Sequence, residues 1–277
     1  FEYYISEKVI THDPKGMGAF ICAPAEMETA ALPKAGKGLT VTVDNFFNNE
    51  YMTGPTGDKI PFHYLWEEDD NNGFSLFGKI FNDAGVKTST LKVAPTAANL
   101  KGSNIYIIVD PDTEKETASP NFMNAAHARQ VSEWVKKGGV LVLLLNDAGN
   151  CEISKFNVLP ETFGIHFNED SRNKVQGLNF EQGAIKIPAG NSIFKTAKKV
   201  YIKEISTIAA KSPAVSALTD NGDVIVATAK YGKGTVFAVG DPWFYNEYID
   251  GRKLPADLEN FKATNDLVNW LIAQTKN

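Results

Sequence analysis

Apolar strand-like segments alternate with amphipathic segments along most of the chain after residue 38. The most apolar of these segments suit strands that are buried on both faces of a parallel sheet. Strands are predicted over residues 39–43, 86–93, 105–109, 140–145 and 235–239. Helices are predicted over residues 74–84, 121–137, 154–163 and 258–273. This alternation predicts an α/β domain with a mostly parallel sheet covered by helices on both faces.

The pattern changes after residue 163, where short strand-like segments follow one another with turn signals between them. These segments comprise residues 184–187, 200–208, 214–218 and 224–229. The turn Tyr231-Gly232-Lys233-Gly234-Thr235 lacks the spacing of a phosphate-binding loop and fits a hairpin between two strands. We therefore expect an antiparallel region added to one edge of the sheet.

The first 31 residues differ from the rest of the chain. Asp13 and Pro14 suit the start of an amphipathic helix, and Pro24 should kink it. One such helix cannot bury its apolar face alone, so it must dock on the main domain, on a partner, or on a part of the parent protein missing before Phe1. Residues 32–38 have the composition of a linker, and the α/β domain is predicted over residues 39–277.

Composition narrows the possible partners. The chain has 277 residues, 43% of them hydrophobic, and a net charge of −5 without a long basic run. Nucleic acid and anionic membrane are therefore not expected partners, whereas sugars remain open. Cys22 and Cys151 form no CxxC pattern, and the calcium-like spacing from Glu68 fails at Lys79, where a glutamate is required. We predict neither a metal nor a cofactor.

Polar residues follow four of the predicted strands. In an open parallel sheet, ligands bind beyond the carboxyl ends of the strands, so these side chains should converge. Aromatic residues in the same loops suit a sugar, whose ring faces stack while its hydroxyl groups form hydrogen bonds. The alternative is that each aspartate only closes a turn or caps a helix, and that the rings bury one another. The candidate ligand-binding residues are Asp44, Asn45, His63, Trp66, Asp110, Asp112, Asn146, Asp147, Asp241 and Trp243.

Two family resemblances follow from local motifs. The segment from Tyr3 to Glu28, with Lys15-Gly16-Met17-Gly18-Ala19-Phe20, resembles the last barrel helix of the unsaturated rhamnogalacturonyl hydrolases of glycoside hydrolase family 105. The resemblance implies an (α/α)6 barrel that removes unsaturated uronic acid from pectin fragments. The catalytic aspartate of that family lies upstream of this motif, so no residue here inherits its role. Pro24 departs from the small residues expected there.

The remainder resembles the class I glutamine amidotransferase-like fold, a flavodoxin-like three-layer sandwich, in its non-catalytic branch. The resemblance is carried by Asn72-Gly73-Phe74, Ile108-Val109-Asp110-Pro111, Trp134 to Gly139, and Tyr231 to Asp241. Where amidotransferases place a GxCxG elbow, this chain has Asn146-Asp147-Ala148. No His-x-Glu pair follows to activate Cys151, so glutamine hydrolysis is not expected.

Three hypotheses follow. The first is a non-catalytic, carbohydrate-associated accessory domain, the C-terminal part of a bacterial pectin-degrading glycoside hydrolase, which binds an oligosaccharide or packs against the catalytic barrel. The second is an independent hydrolase that uses clustered aspartates for acid/base or metal chemistry. The third is a docking domain whose aromatic loops form an interface. The first resemblance favours a periplasmic or extracellular location.

Overall fold

The computed structural model describes residues 17–18, 20–23, 27 and 34–276. The chain divides into two units, Phe1–Ala35 and Gly36–Asn277. In the first unit, those described residues that lie between 17 and 27 are helical. Asp13, Pro14 and Pro24, which were predicted to start and kink this helix, lie outside the described residues.

Five parallel strands form the centre of the main sheet. They are β1 (Thr40–Asp44), β4 (Lys87–Leu91), β5 (Ile105–Val109), β6 (Val140–Leu144) and β13 (Gly234–Val239). Their order across the sheet is β4-β1-β5-β6-β13, and each neighbouring pair is parallel. Every residue of β5, β6 and β13 is buried. The prediction of a mostly parallel α/β sheet is therefore confirmed.

The remaining strands of the main sheet are antiparallel and continue it beyond β13. They are β7 (Ile165–Phe167), β10 (Ile208–Ala210), β11 (Ala214–Asp220) and β12 (Asp223–Tyr231). In the hairpin between β12 and β13, Tyr231 pairs with Gly234 across the two residues Gly232 and Lys233. The predicted antiparallel edge and its hairpin are thus present.

The remaining described strands form two small separate sheets. They are β2 (Tyr51–Thr53) with β3 (Lys59–Pro61), and β8 (Ala184–Lys186) with β9 (Lys199–Tyr201). The prediction of one strand over residues 200–208 is wrong, because β9 ends at Tyr201 and β10 begins at Ile208. Glu204 lies between them with a φ of 49°, a left-handed conformation that interrupts a strand.

Helices cover both faces of the sheet. They are α1 (Ser75–Asp83), α2 (Ala125–Lys136), α3 (Ile153–Phe156), α4 (Asn246–Ile249) and α5 (Asn260–Gln274), with 3-10 helices at Pro160–Phe163 and Phe180–Gly183. The buried side chains of α1 and α5 share one core cluster with the sheet, and those of α2 and α3 share the other. The result is three layers. α2 begins at Ala125 because the Asn124 side chain accepts hydrogen bonds from the amides of Ala126 and His127.

Candidate functional site

A cleft of about 300 Å³ lies beyond the carboxyl ends of β5, β6 and β13. That volume is at the lower end of small-molecule sites. Four of the predicted residues line it together: His63, Asp110, Asn146 and Asp241. The other lining residues are Tyr64, Asn72, Glu116, Asn150, Lys203, Glu204, Tyr245, Glu247 and Tyr248. The cleft therefore combines carboxyl, amide and phenol groups.

Asp110 follows β5 and is only 5% exposed. Its Oδ2 accepts a hydrogen bond of 2.6 Å from the Tyr64 hydroxyl and one of 3.3 Å from Asn146 Nδ2. Its Oδ1 has no partner within the described part of the chain. Burial raises the pKa of Asp110 to about 8, against the opposing effect of the Tyr64 hydrogen bond. The carboxyl group is therefore largely protonated at neutral pH.

Asp241 follows β13 and is 3% exposed. Its Oδ1 also lacks a partner among the described residues. Burial raises the pKa of Asp241 well above its usual value, and the nearby charge of Lys203 opposes this only in part. The preceding Gly240 is required, because a Cβ there would lie 1.8 Å from the carbonyl oxygen of Ser206. This close approach leaves no room for a side chain at the residue between β13 and Asp241.

Strained backbone is concentrated around the cleft. Six described non-glycine residues have a positive φ, and four of them line the cleft. These four are His63 (65°), Tyr64 (59°), Asp110 (39°) and Glu204 (49°). The other two are asparagines; asparagine, aspartate and histidine tolerate this conformation better than other residues, so Tyr64 and Glu204 are the most unusual of the six. Such backbone costs on the order of 1–3 kcal/mol per residue and clusters at functional sites.

His63 lies at the mouth of the cleft beside Glu50. Its Nδ1 is 2.8 Å from Glu50 Oε1. Burial alone would lower the pKa of His63, but the hydrogen bond and charge of Glu50 outweigh it, so this pKa lies above its usual value. The imidazole is therefore held by an acidic partner that lies outside the lining of the cleft.

The polar residues after β1 are not part of the cleft. Asp44 Oδ2 accepts hydrogen bonds from the amides of Phe46 and Phe47, and its Oδ1 accepts one from the Tyr106 hydroxyl. Burial raises the pKa of Asp44 to about 6 despite these bonds. Asn45 donates to the carbonyl oxygen of Asn48. At this strand end the alternative interpretation, a turn closed by its own backbone, describes the structure.

Asp112 and Asp147 also lie outside the cleft lining. Asp112 Oδ2 accepts from the amide of Asn49 and from the Thr117 hydroxyl, and burial raises the pKa of Asp112 to about 6. Its Oδ1 has no partner within the described part of the chain. Asp147 Oδ1 accepts a hydrogen bond of 2.6 Å from Asn150. The four strand ends therefore do not form one cluster of aspartates.

Both candidate tryptophans belong to the core. Trp66 packs against Phe74, Phe77 and Phe81, and its Nε1 donates to the carbonyl oxygen of Ser89. Trp243 is fully buried. Neither ring lines the cleft. The aromatic walls are instead Tyr64 and Tyr245, which come from the same aromatic loops, and Tyr248, which lies in α4.

The site contains residues that the sequence patterns did not single out. Lys203 and Glu204 come from the irregular segment between β9 and β10, where a continuous strand was predicted. Glu116 comes from the long loop after β5. No local pattern marks these positions, because only the tertiary fold brings them to the cleft. The Asp-Pro pairs after β5 and β13 are the signal that does locate its centre.

Metal binding and thiol chemistry are two further possibilities for the candidate site. No group of three or more His, Cys, Asp or Glu side chains in the described part of the chain is arranged to hold a metal ion. Cys151 is 5% exposed, and burial raises the pKa of its thiol well above the usual value. A thiol that stays protonated is a poor nucleophile.

Among the described helices, none is long and apolar enough to cross a membrane.

Comparison with known proteins defines the fold and not the function. No family model matches the sequence, and no curated protein sequence matches it significantly. The structure is similar to the mmIFT52 N-terminal domain, with a TM-score of 0.60 and 19% identity over 84% of this chain and 96% of that domain. This similarity places the chain in the class of α/β domains with that fold.

Two further solved structures are more distant. A cytoplasmic protein, STM3548 from Salmonella typhimurium, has a TM-score of 0.48 and 13% identity over 85% of this chain and 97% of its own. The exo-β-1,4-mannosidase Op5Man5 from Opitutaceae bacterium strain TAV5 has a TM-score of 0.41 and 18% identity over 80% of this chain and 33% of its own.

Proposed function

We propose that the chain is a carbohydrate-binding module that holds a hydroxyl-rich ligand in the strand-end cleft. The observation that carries this proposal is that two residues lining the cleft, Asp110 and Asp241, each have a buried carboxyl oxygen, Oδ1, without a partner among the described residues. A buried polar group without a hydrogen-bond partner is unfavourable, and a ligand hydroxyl, which can donate or accept, would satisfy it. Tyr245 and Tyr248 supply ring surface beside these acceptors.

The charge of the cleft bears on the kind of carbohydrate. Five carboxyl groups line it, against one lysine and one histidine. A uronate would bring a further negative charge into this setting, whereas a sugar without a carboxylate would not. We therefore infer that the module prefers carbohydrates that lack uronic acid.

Titration calorimetry tests the binding proposal. The probes are oligosaccharides of the cello, xylo, manno and galacto series, with oligogalacturonate as the acidic comparison. We expect binding of at least one series, weaker binding of oligogalacturonate, and a loss of affinity of about tenfold or more in Asp110→Ala and Asp241→Ala, as expected when a buried hydrogen-bond partner is removed. Asp44→Asn is the matched control, because Asp44 bonds to its own turn and should leave affinity unchanged.

The outcome can also refute the proposal. If folded wild-type protein binds none of the carbohydrates tested, including amino sugars, carbohydrate binding is excluded. If Asp44→Asn weakens binding as much as the two alanine variants, the cleft is not the site.

We further propose that the α/β domain is flavodoxin-like, in the non-catalytic branch of the class I glutamine amidotransferase-like fold. The parallel strands, counted in chain order, follow the sequence 2-1-3-4-5 across the sheet, which is the order of that fold. The segment after β6 carries Asn146-Asp147-Ala148 in place of a nucleophile elbow. Incubation with glutamine should accordingly release no ammonia, and its release would contradict this assignment.

The resemblance of residues 3–28 supports a proposed parentage, in which the chain is the C-terminal part of an unsaturated rhamnogalacturonyl hydrolase. The bound oligosaccharide and the catalytic barrel would then be its partners, in the periplasm or outside the cell. The sequence encoded upstream of Phe1 tests this directly. An (α/α)6 barrel there is the expected result, and a different domain would refute the parentage without affecting the binding proposal.

A hydrolase is the second candidate function, favoured by one observation. The pKa of Asp110 is raised to about 8, and the Tyr64 hydroxyl is bonded to it, which suits a general acid that is protonated at neutral pH. Release of nitrophenol from aryl glycosides, abolished in Asp110→Asn, would support it. Binding of sugars without turnover would leave the module as a binding protein.

A further inference from the structure

The charged groups of the cleft divide into paired and unpaired ones. Lys203 Nζ is 2.6 Å from Glu204 Oε2, and His63 Nδ1 is 2.8 Å from Glu50 Oε1. Glu247 has its own cation, since its Oε2 is 2.6 Å from Lys253 Nζ. Both cationic side chains that line the cleft are therefore already engaged by an acidic neighbour.

Three lining carboxyl groups form no ion pair within the described part of the chain: Asp110, Glu116 and Asp241. Glu116 is exposed, and its Oε2 accepts from the amide and hydroxyl of Thr113. Asp110 and Asp241 are each at least 95% buried, and each has one carboxyl oxygen without a hydrogen-bond partner among the described residues. Two buried carboxyl groups of the cleft therefore have neither a full set of hydrogen bonds nor an ion-pair partner in the described part of the chain.

A neutral hydroxyl group could bond to each unpartnered oxygen, but it would leave both carboxyl groups protonated, as their burial favours. An ammonium group carries three donors and a positive charge, so it can bond to more than one carboxyl group and stabilise the ionised forms, with release of their protons. Such charge-assisted hydrogen bonds are stronger than neutral ones, and more so where water is excluded. A metal ion is not a substitute here, because the described residues offer no group of three suitable ligands.

We propose that the cleft recognises a carbohydrate with a free amino group, and that the ammonium is held between Asp110 and Asp241. This inference rests on the proposed carbohydrate binding and adds the substituent that the site selects. The hydroxyl groups of the same sugar then face the amides of Asn146 and Asn150, and its ring faces the tyrosines.

The test compares ligands that differ only at the amino group. Wild-type protein is titrated by calorimetry at pH 6.5 with glucosamine oligosaccharides, with their N-acetylated equivalents, and with cello-oligosaccharides of the same length. We expect the free amine to bind about tenfold more tightly than either neutral ligand, as one charge-assisted bond predicts. Asp241→Asn and Asp110→Asn should each reduce this preference at least about fivefold, whereas Asp44→Asn should keep it.

Each outcome separates this inference from the proposed function. Equal affinity for the amine and its acetylated equivalent overturns the amine inference and leaves carbohydrate binding intact. Absence of binding to all carbohydrates tested overturns both. A preference that survives in both aspartate variants shows that another group selects the amine and also refutes the inference. The wild-type comparison needs no variant, so it holds even if one aspartate variant fails to fold.

Discussion

Asp44, the last residue of β1, and Asp110, the first residue after β5, lie at adjacent strand ends of one sheet, yet their surroundings differ. Asp44 accepts from the amides two and three residues ahead, Phe46 and Phe47. Asp110 has no such amides available, because the amide of Asp112 donates to Phe47 and that of Thr113 donates to Glu116. Its left-handed φ of 39° also departs from the usual turn. The Asp44 carboxyl group closes a turn, whereas that of Asp110 has one oxygen without a partner among the described residues.

Asp241 repeats the second arrangement. Like Asp110, it is followed by proline, which has no amide hydrogen, and the amide of Phe244 donates to Pro242. Both Asp-Pro pairs therefore leave the carboxyl group without donors from its own turn. An aspartate at a strand end does not by itself indicate a ligand site. These strand ends differ in whether the amides that follow the aspartate donate to its carboxyl group or to another acceptor.

The largest expected effect concerns the closed strand end. Asp44→Ala removes the acceptor of three buried donors, the amides of Phe46 and Phe47 and the Tyr106 hydroxyl. We expect the free energy of unfolding, measured with urea at pH 4, to fall by about 3–4 kcal/mol, since each unsatisfied buried donor costs about 1–3 kcal/mol. At this pH Asp44, whose pKa burial raises to about 6, is protonated, so the loss is not offset by removal of a buried charge. The exposed Asp69 is the control, and Asp69→Ala should change the free energy of unfolding by less than about 0.5 kcal/mol. A loss under about 1 kcal/mol for Asp44→Ala would remove the contrast between the two strand ends.

The second prediction concerns the open strand end and has the opposite sign. Folding raises the pKa of Asp110 from 3.8 to about 8, so the folded protein binds the proton more tightly than the unfolded chain does. The contribution of this group to stability is therefore complete below about pH 4 and is lost as the pH rises through about 8. Asp110→Asn, which cannot lose a proton, should be similar in stability to the wild type at pH 4 and more stable at pH 9.

The stabilisation at pH 9 should exceed about 2 kcal/mol, because the rise in pKa from 3.8 to about 8, at about 1.4 kcal/mol per unit, outweighs the loss of one hydrogen bond in the variant. Urea unfolding of both proteins across this pH range measures it. A variant that is less stable than the wild type at every pH would show that Asp110, like Asp44, mainly stabilises the fold.

The sequence predicted the scaffold better than the cleft. The bounds of β5 agree with the prediction because its five residues are apolar and buried, a pattern that depends only on the strand itself. The hairpin of β2 and β3 was not predicted, since its strands have three residues each and are largely exposed. In the cleft, Asp110 and Asp241 were found from their strand ends, whereas Lys203 depends on the break at Glu204, which no residue pattern marks.

The smallest expected effect is a difference in stability between the tyrosine hydrogen bonds that the two aspartates accept, because the aspartates differ in charge. Tyr106 and Tyr64 each donate a hydrogen bond of 2.6 Å, to Asp44 and to Asp110 respectively. At pH 7 Asp44, with a pKa of about 6, is mostly ionised, whereas Asp110, with a pKa of about 8, is mostly protonated. A hydrogen bond to a charged group contributes about 1.5–3 kcal/mol and a neutral one about 0.5–1.5 kcal/mol.

Tyr106→Phe should therefore cost about 1.5 kcal/mol or more at pH 7, and Tyr64→Phe about 1 kcal/mol or less. Each variant is the control of the other, because the substitution, the burial and the length of the hydrogen bond to the aspartate are matched. The Tyr64 hydroxyl also lies 3.3 Å from the Tyr245 hydroxyl, and Tyr245→Phe measures the contribution of that contact. Raising the pH to 9 ionises Asp110 and should bring the cost of Tyr64→Phe up to that of Tyr106→Phe. Equal costs at pH 7 would mean that both carboxyl groups carry the same charge, and Asp110 would then be ionised at neutral pH.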